Sequence, residues 1–308
     1  MRLKMEKTLI FGHRNPDTDS ICSSLVMADL QTKLGQEVEA CRLGELNKET
    51  KYALEYLNIE APRKIETIEE GTKVILVDHN EKGHTVEGIE KAKIKMLVDH
   101  HKIANFETTE PTTIYTEPVG CTSTILYKLY KMNNIEIEPK IAALMLSAII
   151  SDTLLLKSPT CTEDDIKAVE NLEKIAKLDK DVYGLDMLKA GTDLDDLTVN
   201  ELIDIDSKDF EKNGVKYTVS QVNTVNIPDI LKRQEELEAE MNKLIESKNL
   251  DLFVFVITDI LNSNSEIIAL GNRTDIIEKT SKLENNRTLL KGVVSRKKQI
   301  IPLIENNI

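Results

Sequence analysis

Apolar runs that stop on an aspartate or a histidine constrain this chain more than any other feature. Thr8-Leu9-Ile10-Phe11 leads into Gly12-His13-Arg14-Asn15-Pro16-Asp17-Thr18-Asp19-Ser20. Lys73 to Val77 ends in Asp78-His79-Asn80, Ile94 to Val98 in Asp99-His100-His101, and Ala142 to Ile150 in Ser151-Asp152-Thr153. Short apolar runs bounded by turn signals suit strands covered on both faces. The stretches between them carry helical spacing, with Ile21, Leu25 and Ala28 after the first run and Tyr52, Leu54 and Leu57 within Lys48 to Leu57. Such alternation predicts an α/β fold with a parallel sheet, whose loops at the carboxyl ends of the strands are where open sheets gather ligands. Ala142 to Ile150 fits a buried helix or a strand, and its pattern leaves both open.

Asn-Pro-Asp is also ordinary turn chemistry, and an acidic residue ahead of a helix is often only a cap, with Asp19 or Ser20 the expected cap here. Repetition argues against that bland reading. Of five histidines, His13, His79, His100 and His101 fall at these ends and only His84 does not.

With 308 residues, 41% apolar and 30% charged, the chain has the composition of a globular protein of two ordinary domains. Its net charge of -13, without a basic stripe interleaved with aromatics, argues against nucleic acid as a partner. Cys22, Cys41, Cys121 and Cys161 form no CxxC pair, so neither a zinc ribbon nor a disulfide framework is indicated. No run approaches a membrane span and Met1 to Lys7 is too charged for a secretory signal, which makes a cytoplasmic location the expectation.

Glu37 to Leu43 is expected as a second strand. Gly120-Cys121-Thr122-Ser123-Thr124 opens a helix through Met132, and Thr162 to Lys174 is a helix begun by a Thr-x-x-Asp capping box. Gly191 and its polar neighbours mark a boundary, giving domains at 1–188 and 196–308 with 189–195 as linker. The second domain is expected to be smaller and mixed. Val215, Tyr217 and Val219 alternate with polar residues as in a half-buried strand, Leu252 to Ile257 and Ile267 to Leu270 suggest two more, and Pro228 to Lys248 is expected as one helix with Leu231, Leu237, Met241 and Leu244 inward. Ser295-Arg296-Lys297-Lys298-Gln299 fits either a solvated basic turn or an anion clamp.

Aspartate and histidine without thiolate make a ligand set for manganese, cobalt or magnesium. The candidates exceed one ion's needs. A central carboxylate such as Asp78 can bridge two ions, an arrangement that activates a water and neutralises a transferring phosphoryl group, and cations for the remaining phosphate oxygens complete a phosphohydrolase. GxxxxGK[ST], GxSxG, HExxH and GxGxxG are all missing from the sequence.

Asp99-His100-His101 resembles the triplet that names the DHH phosphoesterases. Gly12 to Ser20, Val77-Asp78-His79-Asn80, Ser151-Asp152-Thr153 and Ser295 to Gln299 are more closely similar to the family II, manganese-dependent inorganic pyrophosphatases, over essentially the whole chain. The resemblance implies a parallel-sheet metal-binding domain and a smaller mixed α/β domain with the active site in the cleft between them. It implies that His13, Asp17 and Asp78 hold one ion and that Asp19, Asp78, His100 and Asp152 hold a second, both manganese or cobalt, with magnesium accompanying the substrate. It further implies that Asp99 orients a histidine, that His101 contacts substrate and assists the leaving phosphate, and that Lys208, Arg296 and Lys297 bind phosphate. The implied reaction is hydrolysis of pyrophosphate to two orthophosphates by a metal-bridging hydroxide, in a homodimer with no nucleic-acid or membrane partner. A short-chain exopolyphosphatase is the alternative, disfavoured by His13; an oligonucleotide phosphodiesterase would carry a Gly-Gly-His stretch, and a catalytically dead module would show gaps in the ligand set.

Overall fold

Ile10 and Phe11 are fully buried on opposite faces of strand β1 (Thr8–Phe11), and the sheet built on that strand is covered on both faces accordingly. The computed structural model describes residues 7–308, which fall into two compact units, one running to Gly191 and the other from Thr192 to Ile308. In the first unit β1 is followed by α1 (Thr18–Lys33), β2 (Val38–Arg42), α2 (Lys48–Tyr56), β3 (Arg63–Lys64), β4 (Lys73–Val77), β5 (Lys93–Asp99) and β6 (Thr113–Thr116). Four helices complete it, α3 (Thr122–Met132), α4 (Pro139–Thr153), α5 (Glu163–Ala176) and α6 (Lys180–Gly191).

The sheet order is β3-β2-β1-β4-β5-β6 and every pairing is parallel. Chain direction across the sheet reverses between β1 and β4, the switch point at which open α/β sheets leave a crevice beyond the strand ends. Ile10, Ile75, Val77 and Val98 pack under the helices on one face. Phe11, Val74, Leu76 and Leu97 pack on the other against Val86 and Ile89, which come from a connection with two short helical turns and not from a regular helix.

Ala142 to Ile150 lies within helix α4, which resolves the ambiguity of that apolar run. Pro139 in its first turn presets the backbone, and neighbours α1, α3, α5 and α6 bury it so fully that no polar stripe survives. The cap of α1 is a correction: Asp17, not Asp19 or Ser20, is the N-cap, its side chain accepting from the Ser20 N–H at 2.9 Å. Asp19 is the second residue of the helix, in its first turn, and is fully buried.

The second unit contains α7 (Val199–Asp204), β7 (Ser207–Lys212), β8 (Val215–Thr224), α8 (Ile227–Leu231), α9 (Gln234–Lys248), β9 (Leu252–Asp259), β10 (Asn264–Gly271), α10 (Asp275–Glu278), β11 (Arg287–Lys291) and α11 (Ile301–Glu305). Its sheet runs β11-β10-β9-β8-β7 and is antiparallel except for β8 with β9. Central β9 divides the core: Phe253, Phe255 and Ile257 meet Leu237 and Met241 of α9, while Leu252, Val254 and Val256 face Ile276, Ile300 and Ile304. Pro228 to Lys248 is two helices and not the one expected. The chain breaks at Lys232-Arg233, where the Arg233 guanidinium donates to the Leu197 carbonyl at 2.7 Å. Ser295 to Gln299 is no loose turn either, because Ser295 caps a wide helical turn, Arg296–Ile300, that runs into α11. The residues expected as linker, 189–195, begin in helix, since α6 continues through Gly191. Among the described residues no helix is long and apolar enough to cross a membrane.

Candidate metal centre

Gly12 lets the start of α1 come down onto the end of β1. A Cβ there would lie 1.8 Å from Ser20 Oγ, and that hydroxyl accepts from the His13 N–H at 2.9 Å. The close approach turns the His13 ring inward, with Nε2 at 3.4 Å from both Asp17 Oδ2 and Asp78 Oδ2. Asp78 follows β4 on the adjacent strand. His100 follows β5; its Nδ1 lies 3.1 Å from the Val119 carbonyl, so the opposite nitrogen faces Asp78 Oδ1 at 3.4 Å and Asp152 Oδ2 at 3.6 Å. Asp152 comes from the last turn of α4.

Three sets of donor atoms lie within 4.8 Å of one another: His13, Asp17 and Asp78; Asp19, Asp78, His100 and Asp152; and Asp78, His100 and His101. Asp78 belongs to all three. Its Oδ2 is buried with no hydrogen-bond partner among the described residues, although a buried carboxylate oxygen ordinarily requires a donor or a cation. The donor set is oxygen and imidazole nitrogen, and the thiols Cys22 and Cys121 are buried with pKa values that burial pushes well above the ordinary range. These residues fit hard or borderline divalent ions.

Charge in the centre is unbalanced. Burial alone would hold the His13 ring neutral, yet the carboxylates of Asp17 and Asp78 lift its pKa to about 10; His100 is lifted to about 9 against the same penalty, chiefly by Asp78. Burial and the neighbouring Asp78 push Asp19 up to about 6, and burial with Asp19 and Asp78 beside it pushes Asp152 well above the carboxylate range. Burial also opposes ionisation of Asp78, but His100 and His13 more than offset it and hold this carboxyl well below the usual range. Without a cation the cluster therefore binds protons that a divalent ion would displace.

Asp99 stands apart from the ligand sets. It is fully buried; its Oδ1 accepts from the backbone N–H of His101 at 3.0 Å and lies 2.9 Å from His101 Nδ1, and its Oδ2 accepts from Asn80 Nδ2 at 2.6 Å. That arrangement fixes the exposed His101 ring with Nε2 left for a partner. His79 also lies outside these sets: its buried ring bonds the Val77 carbonyl through Nδ1 at 2.9 Å, and burial lowers its pKa to about 4. In the second unit, Arg296 pairs with Asp206 at 2.7 Å, two residues from Lys208, while Lys208 and Lys297 are exposed.

Several supporting residues escaped the sequence. Thr122, first in α3, donates its N–H to Asp19 Oδ2 at 2.8 Å and its hydroxyl to Asp78 Oδ1 at 3.3 Å. Glu49 is half-buried between Thr18 and Ser151, whose hydroxyls both donate to its Oε1. Only the run of small polar residues after Gly120 hinted at the first; nothing in the sequence pointed to the second.

Residues 7–149 match the DHH family, N-terminal domain, and residues 185–307 match the DHHA2 domain. The manganese-dependent inorganic pyrophosphatase of Bacillus subtilis strain 168 is 56% identical over 303 residues, covering 97% of this chain and 98% of its own. Among solved structures, a candidate family II inorganic pyrophosphatase from Methanococcus jannaschii is similar at a TM-score of 0.64 with 37% identity, over 97% of this chain and 98% of that one.

Proposed function

The chain belongs to the manganese-dependent inorganic pyrophosphatases, and from that premise we propose that it hydrolyses pyrophosphate to two orthophosphates at the Asp/His centre of its first unit. It is a hydrolase of a phosphoanhydride bond. The observation that carries the site assignment is Asp78, shared by every donor set and buried with one oxygen that accepts no hydrogen bond among the described residues.

On this reading His13, Asp17 and Asp78 hold one manganese ion and Asp19, Asp78, His100 and Asp152 the other, cobalt substituting and magnesium arriving with the substrate. Two such ions, when bound, supply an activated water and neutralise charge on the phosphoryl group being transferred. The chain's own residues do the rest. Thr122 steadies the carboxylates of Asp19 and Asp78. Asp99 keeps the His101 proton on Nδ1 or stabilises the doubly protonated ring, so that His101 binds a phosphate oxygen through Nε2 and delivers a proton as the phosphoanhydride bond breaks. Lys208, Arg296 and Lys297 bind the remaining anionic oxygens, Arg296 as a planar fork already braced by Asp206. A homodimer in the cytoplasm, acting on pyrophosphate with neither nucleic acid nor membrane as partner, completes the proposal.

Phosphate release from pyrophosphate, tripolyphosphate and a dinucleotide, measured with manganese and with magnesium, tests this. Pyrophosphate should be the preferred substrate, and the chelated protein should recover best with manganese or cobalt at two ions per chain. Preference for tripolyphosphate would establish the exopolyphosphatase alternative, and one ion per chain would remove the bridging role of Asp78.

A further inference from the structure

A cavity of about 370 Å³ in the first unit is lined by His13, Asp78 and His101 of the centre and, beyond them, by Arg14, Lys102 and Glu81. Its volume is that of a small-molecule site. The backbone of both cations is pinned. The Arg14 N–H donates to the His84 carbonyl at 2.7 Å, and the Lys102 carbonyl accepts from Asn80 Nδ2 at 3.0 Å. Their side chains are exposed and form no ion pair with any described residue. Neither cation is neutralised by a neighbouring carboxylate, as Lys82 is by Glu107 and Lys95 by Glu110 on the same unit. A guanidinium and an ammonium left uncompensated along a cavity that starts at a phosphate-handling centre attract anionic oxygens, and Glu81 is the one carboxylate in the lining outside the centre.

We propose that Arg14 and Lys102 form a phosphate subsite beside the centre, which takes a phosphate group additional to the two of pyrophosphate. The group can be free orthophosphate or the outer phosphoryl group of a condensed phosphate such as tripolyphosphate. The proposal rests on the pyrophosphatase reading of the centre and assigns these residues to ligand discrimination and not to bond cleavage.

The test uses the full manganese-loaded chain with Arg14→Gln, Lys102→Gln and Arg14→Lys. Orthophosphate affinity is read by titration calorimetry, and tripolyphosphate affinity as inhibition of pyrophosphate hydrolysis. Each glutamine variant should weaken one or both ligands about tenfold, the loss expected for a charge-assisted hydrogen bond, and Arg14→Lys should restore most of it. Weakening of orthophosphate alone identifies the product as occupant, and weakening of tripolyphosphate alone identifies the outer phosphoryl group. Affinities unchanged within about twofold for both ligands would overturn the subsite. So would loss of manganese from Arg14→Gln, which would make the arginine a support of the His13 loop. A wild-type chain that fails to hydrolyse pyrophosphate would instead overturn the reading of the centre itself.

Discussion

Asp78 holds a left-handed backbone, with φ +58, at the end of β4, a conformation that costs a non-glycine residue on the order of 1 kcal/mol. That turn aims one oxygen toward His13 and the other toward His100. Asp78→Asn keeps the shape and removes the charge shared by both ligand sets, so turnover should fall at least ~100-fold while the far-ultraviolet circular dichroism stays unchanged. Near-normal hydrolysis would place the bridging carboxylate elsewhere. His79, one residue on, has the opposite character. Its neutral ring bonds the Val77 carbonyl and packs near Phe11, and it reaches no donor set. His79→Ala should therefore cost stability, about 2–4 kcal/mol from the emptied space and the stranded carbonyl, with manganese content retained. Asp99→Ala lies between the two, because it frees the His101 ring without removing a ligand. Activity about 10- to 100-fold lower with both ions still bound is the expected outcome, read by metal analysis beside the rate.

Among the elements, the amino ends of α3 and α5 are joined by one side chain. Asp165 closes the capping box with Thr162 and also accepts from the Gly120 N–H at 2.8 Å and the Thr124 hydroxyl at 2.6 Å. Through that staple α5 holds the turn from which Thr122 reaches Asp19 and Asp78. Asp165→Ala should destabilise the protein by about 3 kcal/mol, by stranding buried donors, and should weaken manganese binding although Asp165 is not a ligand; calorimetry and metal titration of the same variant would show whether both effects occur. The capping box was legible in the sequence because it is local, whereas the contacts to Gly120 and Thr124 were not, because they join residues more than forty positions apart. The same division runs through the fold. Strands β1, β4 and β5 and their acidic ends could be seen in four- and five-residue patterns. Helix α4 could not be typed, since burial on all sides removes the polar stripe that marks a helix. The cap of α1 was misplaced because Asp17 and Asp19 look alike from the chain, and the Ser23 hydroxyl and the Thr122 N–H, the latter 103 residues away, give Asp19 its other task. The split between α8 and α9 depends on a carbonyl at Leu197 that no helical periodicity reports.

At the scale of the molecule, an acidic chain concentrates four carboxylates and two imidazoles in one partly buried place, which makes its stability a function of pH and of metal together. In the metal-free protein His13 and His100 have pKa values of about 10 and about 9, above their unfolded value of 6.5, and Asp19 is at about 6, above 3.8. Each of these groups binds more protons folded than unfolded, so each contributes stability that is complete below its unfolded pKa and lost as pH rises through the folded one. For Asp19 that loss falls between about 4 and 6, and for the two rings between about 6.5 and 10. Asp78 has the opposite sign, its contribution being lost only as pH falls below the ordinary carboxylate range, outside this window. His79, at about 4 against 6.5, also has the opposite sign and gains stability across the interval in which Asp19 loses it, so metal-free protein should lose stability chiefly above about pH 6.5, as the His13 and His100 rings titrate. Divalent ions require the same ligands deprotonated, so their stabilisation grows over that interval. The gap in melting temperature between manganese-saturated and chelated protein should accordingly be wider at about pH 9 than at about pH 6. Manganese binding near neutral pH should also release at least about two protons per chain, one from each ring with any held by Asp152 in addition, measurable by calorimetry in two buffers of different ionisation enthalpy. A gap that stays constant with pH, or binding without proton release, would mean that His13 and His100 are already neutral in the metal-free protein and that the carboxylates do not hold those protons.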